Sequence, residues 1–261
     1  MILIYGDVHG NFRHVAHVVK EHRPDAIIFL GDIEAQRPFE KELEGVMDKT
    51  EVWWIHGNHD TDSQRNYDNL FGSALADRNL HGKVVEIDGL RVAGLGGVFR
   101  GEIWYPNLQD APAHFDSYDE YQKNSEQELI YTSFANSASH KKIHNPKIKG
   151  KLLKHRSSIF FKDWIDLCGQ QADILVTHEA PACHPHGFRV INELARSMKV
   201  KFSFHGHHHD RLNCKPLWDE LGFCAVGVGF RGVTDQYGDT ILPGEFDEAR
   251  MGRLNHGTLK E

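Results

Sequence analysis

Residues 2–10 read I-L-I-Y-G-D-V-H-G. Four apolar residues, the length of a short strand, run into a Gly-Asp turn signal. The polar side chains of Asp7 and His9 follow directly. The spacing of apolar residues then predicts a helix over Phe12–Glu21. The same unit recurs twice: A-I-I-F-L at 26–30 closes in Gly31-Asp32, and V-W-W-I at 52–55 closes in H-G-N-H-D. A helix is expected between them at Phe39–Met47. Continuous apolar runs alternating with helical spacing, β-α-β-α-β, indicate a layered α/β fold with a largely parallel sheet.

Further strands are expected at Val84–Ile87, Leu90–Gly94, Ile174–Thr177, Lys201–Phe204 and Phe223–Gly229, and helices near Ser158–Cys168 and Val190–Met198. Residues about 100–157 fit the alternation poorly. They read as an insertion within one domain spanning 1–241, partly helical at Tyr118–Phe134, with the role of a cap or lid. The tail 242–261 is polar and is expected to be loosely held. Trp53 and Trp54 read as core residues.

The chain has 261 residues and a net charge of -7, which argues against a general nucleic-acid coat protein. The charge is unevenly spread. Leu129–Lys162 holds eight Lys and Arg (Lys141, Lys142, Lys147, Lys149, Lys151, Lys154, Arg156, Lys162) and no acid, so the remainder stands at -15. Such a segment reads either as a solvated loop or as a rim that draws in an anionic substrate. No secretory signal pattern opens the sequence. No apolar run approaches the ~18 residues of a membrane span. Cys168, Cys183, Cys214 and Cys224 show no C-x-x-C spacing. Together these features predict a cytoplasmic protein with reduced cysteines and no membrane partner.

Polar residues gather at strand ends. Asp7 and His9 follow the first strand, Asp32 the second, and Asn58, His59 and Asp60 the third. His178 follows Ile174–Thr177. The run F-H-G-H-H-H-D at 204–210 places four histidines within five positions. Each Asp or His alone is a reasonable turn residue or helix cap. Ligand sites of open α/β sheets lie beyond the carboxyl ends of the strands, where all of these can converge. Carboxylates, an amide and imidazoles without thiolates suit Mn²⁺, Fe or Zn.

The ordered motifs G-D-V-H (6–9), G-D (31–32), G-N-H-D (57–60), T-H (177–178) and G-H-H-H (206–209) resemble the calcineurin-like metallophosphoesterase superfamily. The resemblance covers about 1–99 and 163–230. It implies a four-layer α/β/β/α sandwich with two mixed sheets flanked by helices. It also implies two divalent metal ions, Mn²⁺ first, with Fe, Zn or Ni as alternatives. One metal would take Asp7, His9, Asp32 and His209; the other would take Asp32, Asn58, His178 and His207. By the G-H-x-H register, His205 and His208 stay neighbours. His59 resembles the family's catalytic histidine, and Asp60 is expected to orient it. The implied reaction is in-line attack of a metal-bridging hydroxide on a phosphodiester or nucleotide.

Arg13, Arg37 and Arg100 are candidate phosphate-binding side chains. The basic insertion 141–156 is a candidate contact for a nucleotide or nucleic acid. The phosphoprotein phosphatase branch favours G-D-x-V-D-R-G and G-N-H-E where this chain has G-D-I-E-A-Q-R and G-N-H-D. Ser/Thr phosphatase activity is therefore the second expectation, and a metal-holding interaction module the third.

Overall fold

The structure, a computed structural model, describes residues 1–106, 112–135 and 146–247, with side chains described outside 127–149. Strands β1 (Ile2–Tyr5), β2 (Ala26–Phe29) and β3 (Glu51–Trp54) run parallel. They are joined by α1 (Arg13–His22) and α2 (Phe39–Glu42), and α3 (Gln64–Phe71) follows. A second sheet begins with the antiparallel pair β4 (Lys83–Ile87) and β5 (Leu90–Leu95). The chain then forms α4 (Tyr118–Ala135), α5 (Pro146–Lys154) and α6 (Phe161–Cys168). The second sheet continues in parallel through β6 (Ile174–Thr177), β7 (Phe202–His205) and β8 (Cys224–Gly227), with α7 (Arg189–Ser197) and α8 (Trp218–Leu221) as crossovers. Last, β9 (Val233–Asp235) and β10 (Thr240–Leu242) return to the first sheet, antiparallel on the free edge of β1. The orders are β10-β9-β1-β2-β3 and β4-β5-β6-β7-β8, so both sheets are mixed.

The continuous apolar runs make physical sense in this arrangement. Successive side chains of a strand point to opposite faces. Ile2 and Ile4 of β1, Ile28 of β2 and Trp53 of β3 face inward. There they meet Val92, Ile174, Val176, Phe204 and Val226 of the other sheet. Their neighbours Leu3, Tyr5, Ile27, Phe29 and Trp54 face outward and pack against Val15, Val18 and Phe39 of the first helices. The outward residues of the second sheet, Ala93, Leu175 and Ala225, pack with Leu167, Ile191 and Leu194. A strand buried on both faces cannot alternate with polar residues, and four layers follow. The one polar atom of Trp54 is satisfied: its indole N–H donates to the Leu75 carbonyl at 2.8 Å. Among the described residues no helix is long and apolar enough to cross a membrane.

Several boundaries differ from those predicted by spacing. The helix expected over Phe39–Met47 stops at Glu42, and Gly45 takes the left-handed φ of 78° that a helix does not allow. The helix expected from Ser158 starts at Phe161, because the Asp163 carboxylate accepts the Phe160 N–H at 2.9 Å and sets the first turn there. β9 and β10 had no clear signature, being three residues each.

The tail expected to be loose from Leu242 is held as far as the structure describes it. Glu245 N–H donates to the Phe230 carbonyl at 2.9 Å, and the Arg231 guanidinium pairs with both Glu245 oxygens at 3.1 Å. Residues 248–261 lie outside the described residues. The ends of the 100–157 segment are joined by backbone. Val98 N–H donates to Ser157 O, and Ile159 N–H donates to Val98 O, both at 3.0 Å.

Ile28 is fully buried between the sheets. Ile28→Ala is expected to lower stability by about 2–5 kcal/mol, because the lost methyl groups leave a cavity that rigid neighbouring strands cannot fill. Urea unfolding of the two proteins checks this.

Candidate metal centre

The carboxyl ends of five strands, three in one sheet and two in the other, carry the polar side chains to one place. β1 delivers Asp7 and His9, β2 Asp32, β3 Asn58, β6 His178, and β7 His207 and His209. Ligand atoms of Asp7, His9, Asp32 and His209 lie within 4.8 Å of one another, and so do those of Asp32, His178 and His207. Asp32 belongs to both groups. His9 Nε2 stands 3.0 Å from His209 Nε2, and His209 Nε2 stands 3.2 Å from Asp7 Oδ2. His178 Nε2 is 3.5 Å from Asp32 Oδ2 and 3.2 Å from Asn58 Oδ1. His205 and His208 belong to neither group. His208 stacks on His184 at 3.9 Å, and His205 is buried.

This convergence strains the backbone. His9, Asp32, Glu34, His207 and His209 all have φ between 42° and 68°, the left-handed region that non-glycine residues rarely occupy. Two close approaches require glycine. A Cβ on Gly57 would lie 2.2 Å from Asp32 Oδ1, and one on Gly206 would lie 2.2 Å from Asp7 Oδ1.

The donor set fits divalent cations. His9 Nδ1 lies 2.5 Å from Glu34 Oε1, and His178 Nδ1 donates to the Leu30 carbonyl at 2.7 Å. Both rings therefore turn Nε2 toward the carboxylates. Burial pushes His207 down to about 3, helped by the positive neighbour His178, so it offers a lone pair at neutral pH. Burial opposes charge on His178, but Asp32 and Asp7 push its pKa up to about 10. Burial likewise opposes the charge on Asp32; His178 and the His59 N–H outweigh it and hold the carboxyl below its usual range. The centre attracts positive charge between its carboxylates.

His59 sits at the start of a 3-10 turn, His59–Thr61, with its backbone N–H on Asp32 Oδ1 at 2.8 Å. The expected pairing with Asp60 is not what forms. His59 Nδ1 lies 2.6 Å from Asp62 Oδ2. A 3-10 turn has three residues per turn, so the side chain at i+3 returns to the same face while i+1 points elsewhere. Asp60 is buried, accepting Gly57 N–H and Glu34 N–H, each at 2.8 Å. It ties the β2 and β3 loops together. Burial pushes its pKa up to about 7.

The three candidate arginines separate. Arg37 is spent on Glu42 at 3.2 Å, and Arg13 is exposed at the start of α1; neither has a hydrogen bond or ion pair to the ligand groups. Arg100 is half-buried, donating to Ser158 Oγ at 3.0 Å and Ser157 Oγ at 3.3 Å, and it feels the charges of Glu179, Asp62 and Asp32. Of the basic insertion 141–156, Lys141 and Lys142 lie outside the described residues, as do the side chains of Lys147 and Lys149.

Spacing alone missed Glu34, Asp62, Phe230 and Arg231. The Phe230 ring packs 5.4 Å from His9 and 4.8 Å from His209. Arg231 donates to the Val8 carbonyl at 3.2 Å and its N–H to the Asp7 carbonyl at 3.1 Å. Only Asp62, three residues beyond His59, carried a signal that turn geometry could have used.

Residues 1–211 match the family model described as calcineurin-like phosphoesterase. An uncharacterized protein of Haemophilus influenzae (strain ATCC 51907 / DSM 11121 / KW20 / Rd) is 41% identical over 242 residues, covering 93% of this chain and 96% of that one. Two solved structures are similar at 14% identity. One is TT1561 of Thermus thermophilus, with TM-score 0.48 over 90% of this chain and 93% of that one. The other is a 5'-nucleotidase from Candida albicans, with TM-score 0.43 over 89% of this chain and 47% of that one.

Glu34→Ala removes the partner of His9 Nδ1 without touching a ligand atom. It is expected to weaken Mn²⁺ binding by about 10–100-fold while leaving the fold intact. Calorimetric titration beside a thermal melt measures both.

Proposed function

This chain belongs to the calcineurin-like phosphoesterase family, and from that premise we propose that it cleaves a phosphodiester or nucleotide with two divalent metal ions bound. It is a hydrolytic phosphoesterase; the metals' number and the substrate class are the proposal. The observation that carries it is Asp32, a buried carboxylate common to both ligand groups. Asp7, His9, Asp32 and His209 would hold one ion; Asp32, Asn58, His178 and His207 the other. Hard carboxylate and amide oxygens with imidazoles favour Mn²⁺, with Fe, Zn or Ni accepted by the same donors. Bound divalent ions supply activated water near neutral pH and offset phosphoryl charge.

The chain's own residues do the rest. Asp62 takes the Nδ1 side of His59, which leaves the other ring nitrogen to protonate the departing oxygen. Asp60 fixes the two loops that carry Asp32 and His59. Arg100, held by two serine hydroxyls, presents its guanidinium to the phosphoryl oxygens. Free cysteines throughout suit a reducing cytoplasmic compartment.

The test is a paired assay with Mn²⁺, bis(p-nitrophenyl) phosphate against p-nitrophenyl phosphate, for wild type, His59→Ala and Asp32→Asn. Diester turnover lost in both variants is the expected result. A preference for the monoester would overturn the diester reading, and a chain that binds no metal would overturn the mechanism.

His59 has its pKa raised: burial opposes its charge, and Asp62, with Asp32 and Glu34, more than compensates. As an acid it must be protonated, so activity is expected to fall as pH rises through that pKa. Asp62→Asn is expected to move this alkaline limb to lower pH, and Asp60→Asn to leave its position in place. pH–rate profiles of kcat distinguish the two carboxylates.

A further inference from the structure

We propose that Lys154 and Arg156, at the 3-10 turn His155–Ser157 beside Arg100, form a subsite for a second phosphate covalently linked to the one being cleaved. This deepens the reading above and rests on it.

The turn is docked against the catalytic loop. Thr61 Oγ1 lies 2.6 Å from Ser157 Oγ and donates to the Lys154 carbonyl at 3.3 Å, in the same 3-10 turn that begins with His59. Three cations surround this contact. Arg100 donates to Ser157 and Ser158, and Lys154 and Arg156 stand exposed on either side of buried His155. The nearby carboxylate, Glu102, is taken by His155 at 2.7 Å and lies 3.9 Å from Lys151. Among the described residues no carboxylate forms an ion pair with Arg100, Lys154 or Arg156.

Arg156 is also set in place before any ligand arrives. Its guanidinium lies over Tyr118 at 4.6 Å and over Tyr67 at 5.2 Å, and it donates to the Tyr67 hydroxyl at 3.1 Å. These contacts fix the plane of the fork and leave most of its five N–H donors for an anion. Docking of the insertion explains the rings. It does not explain why Lys154 and Arg100 share the same flank with no carboxylate in ion-pair contact with either among the described residues.

The rest of the rim carries carboxylates, each paired with a histidine or arginine. Glu34 and Asp62 border the centre, and Glu245 stands beyond Phe230 and Arg231. Outside residues 129–162 the chain carries a balance of -15. A substrate with more than one phosphate is therefore drawn in along the insertion side. Two sources share this chemistry: the next phosphodiester of a nucleotide strand, and the outer phosphate of a nucleoside polyphosphate.

Matched pairs differing by one phosphate test the subsite with Mn²⁺ present. These are dithymidine monophosphate (TpT) against its 5'-phosphorylated form (pTpT), and AMP against ADP. Wild type is expected to favour the member with the extra phosphate by about tenfold in kcat/KM, the scale of one charge-assisted hydrogen bond. Lys154→Gln/Arg156→Gln is expected to bring that ratio near one. Lys154→Gln alone, at an exposed side chain with no ion pair among the described residues, is expected to lower it about threefold. Preference within the dinucleotide pair assigns the phosphate to a strand, and preference within the AMP and ADP pair to a polyphosphate. A ratio near one in wild type for both pairs, or a ratio that survives the double variant, overturns the subsite. If no member is turned over, the proposed function fails separately. Calorimetric binding of the same pairs to Mn²⁺-loaded His59→Ala then reads the subsite by the same ratio.

Discussion

A single buried carboxylate, Asp32, is the constraint to which the rest of the structure answers. Removing a charge from water without partners is among the largest penalties in folding. Asp32 is 1% exposed, and its partners come from distant parts of the chain: the His59 N–H at 2.8 Å and the His178 ring at 3.5 Å. Those partners stand on different sheets. The two sheets must therefore end at the same level and face each other closely. The inward rows of Ile2, Ile4, Ile28, Val176 and Phe204 enforce that register. The left-handed backbone at Asp32 and the absent Cβ at Gly57 are the local cost of bringing the loops within reach.

The centre is enclosed asymmetrically. On one side β8 runs on into Phe230 and Arg231, and residues 244–247 fold over them. The Phe230 ring backs His9 and His209, and Arg231 links the Asp7 loop to Glu245. On the other side lie three hydroxyls and a cation: Thr61, Ser157, Ser158 and Arg100. The aromatic side fixes ligand orientation by packing, and the polar side is a buried hydroxyl cluster that holds the half-buried Arg100. A late stretch of the chain thus contributes to a site whose motifs begin at residue 6.

Much of this was legible in the sequence because the relevant signals are local. A strand buried on both faces is a continuous apolar run, and a ligand at its end is a polar residue after a Gly turn. Both can be seen within a window of ten residues. Helix ends at Glu42 and Phe161 depended on a single glycine conformation and on one carboxylate acceptor. The partner of His59 turned on three residues per turn rather than on adjacency, so Asp62 took the place expected for Asp60. β9, β10, Phe230 and Arg231 were invisible for a different reason. Their structure exists only through contacts with β1 and with the Asp7 loop, far away in sequence.

The join between Val98 and Ser157–Ile159 has a consequence for how such a protein can change. Two backbone hydrogen bonds fasten the ends of the intervening chain side by side. For a segment closed at its base, the entropic cost of extra length grows only logarithmically, about 0.6 kcal/mol for each doubling. Beyond the join, Ile103, Trp104 and Tyr121 still pack with Ala93 and Leu175 of the second sheet. A change of length that spares those contacts leaves the neighbours of Asp32 in place. The fold thereby sets the strands that hold Asp32 apart from a segment tied to them at its base and by three buried side chains.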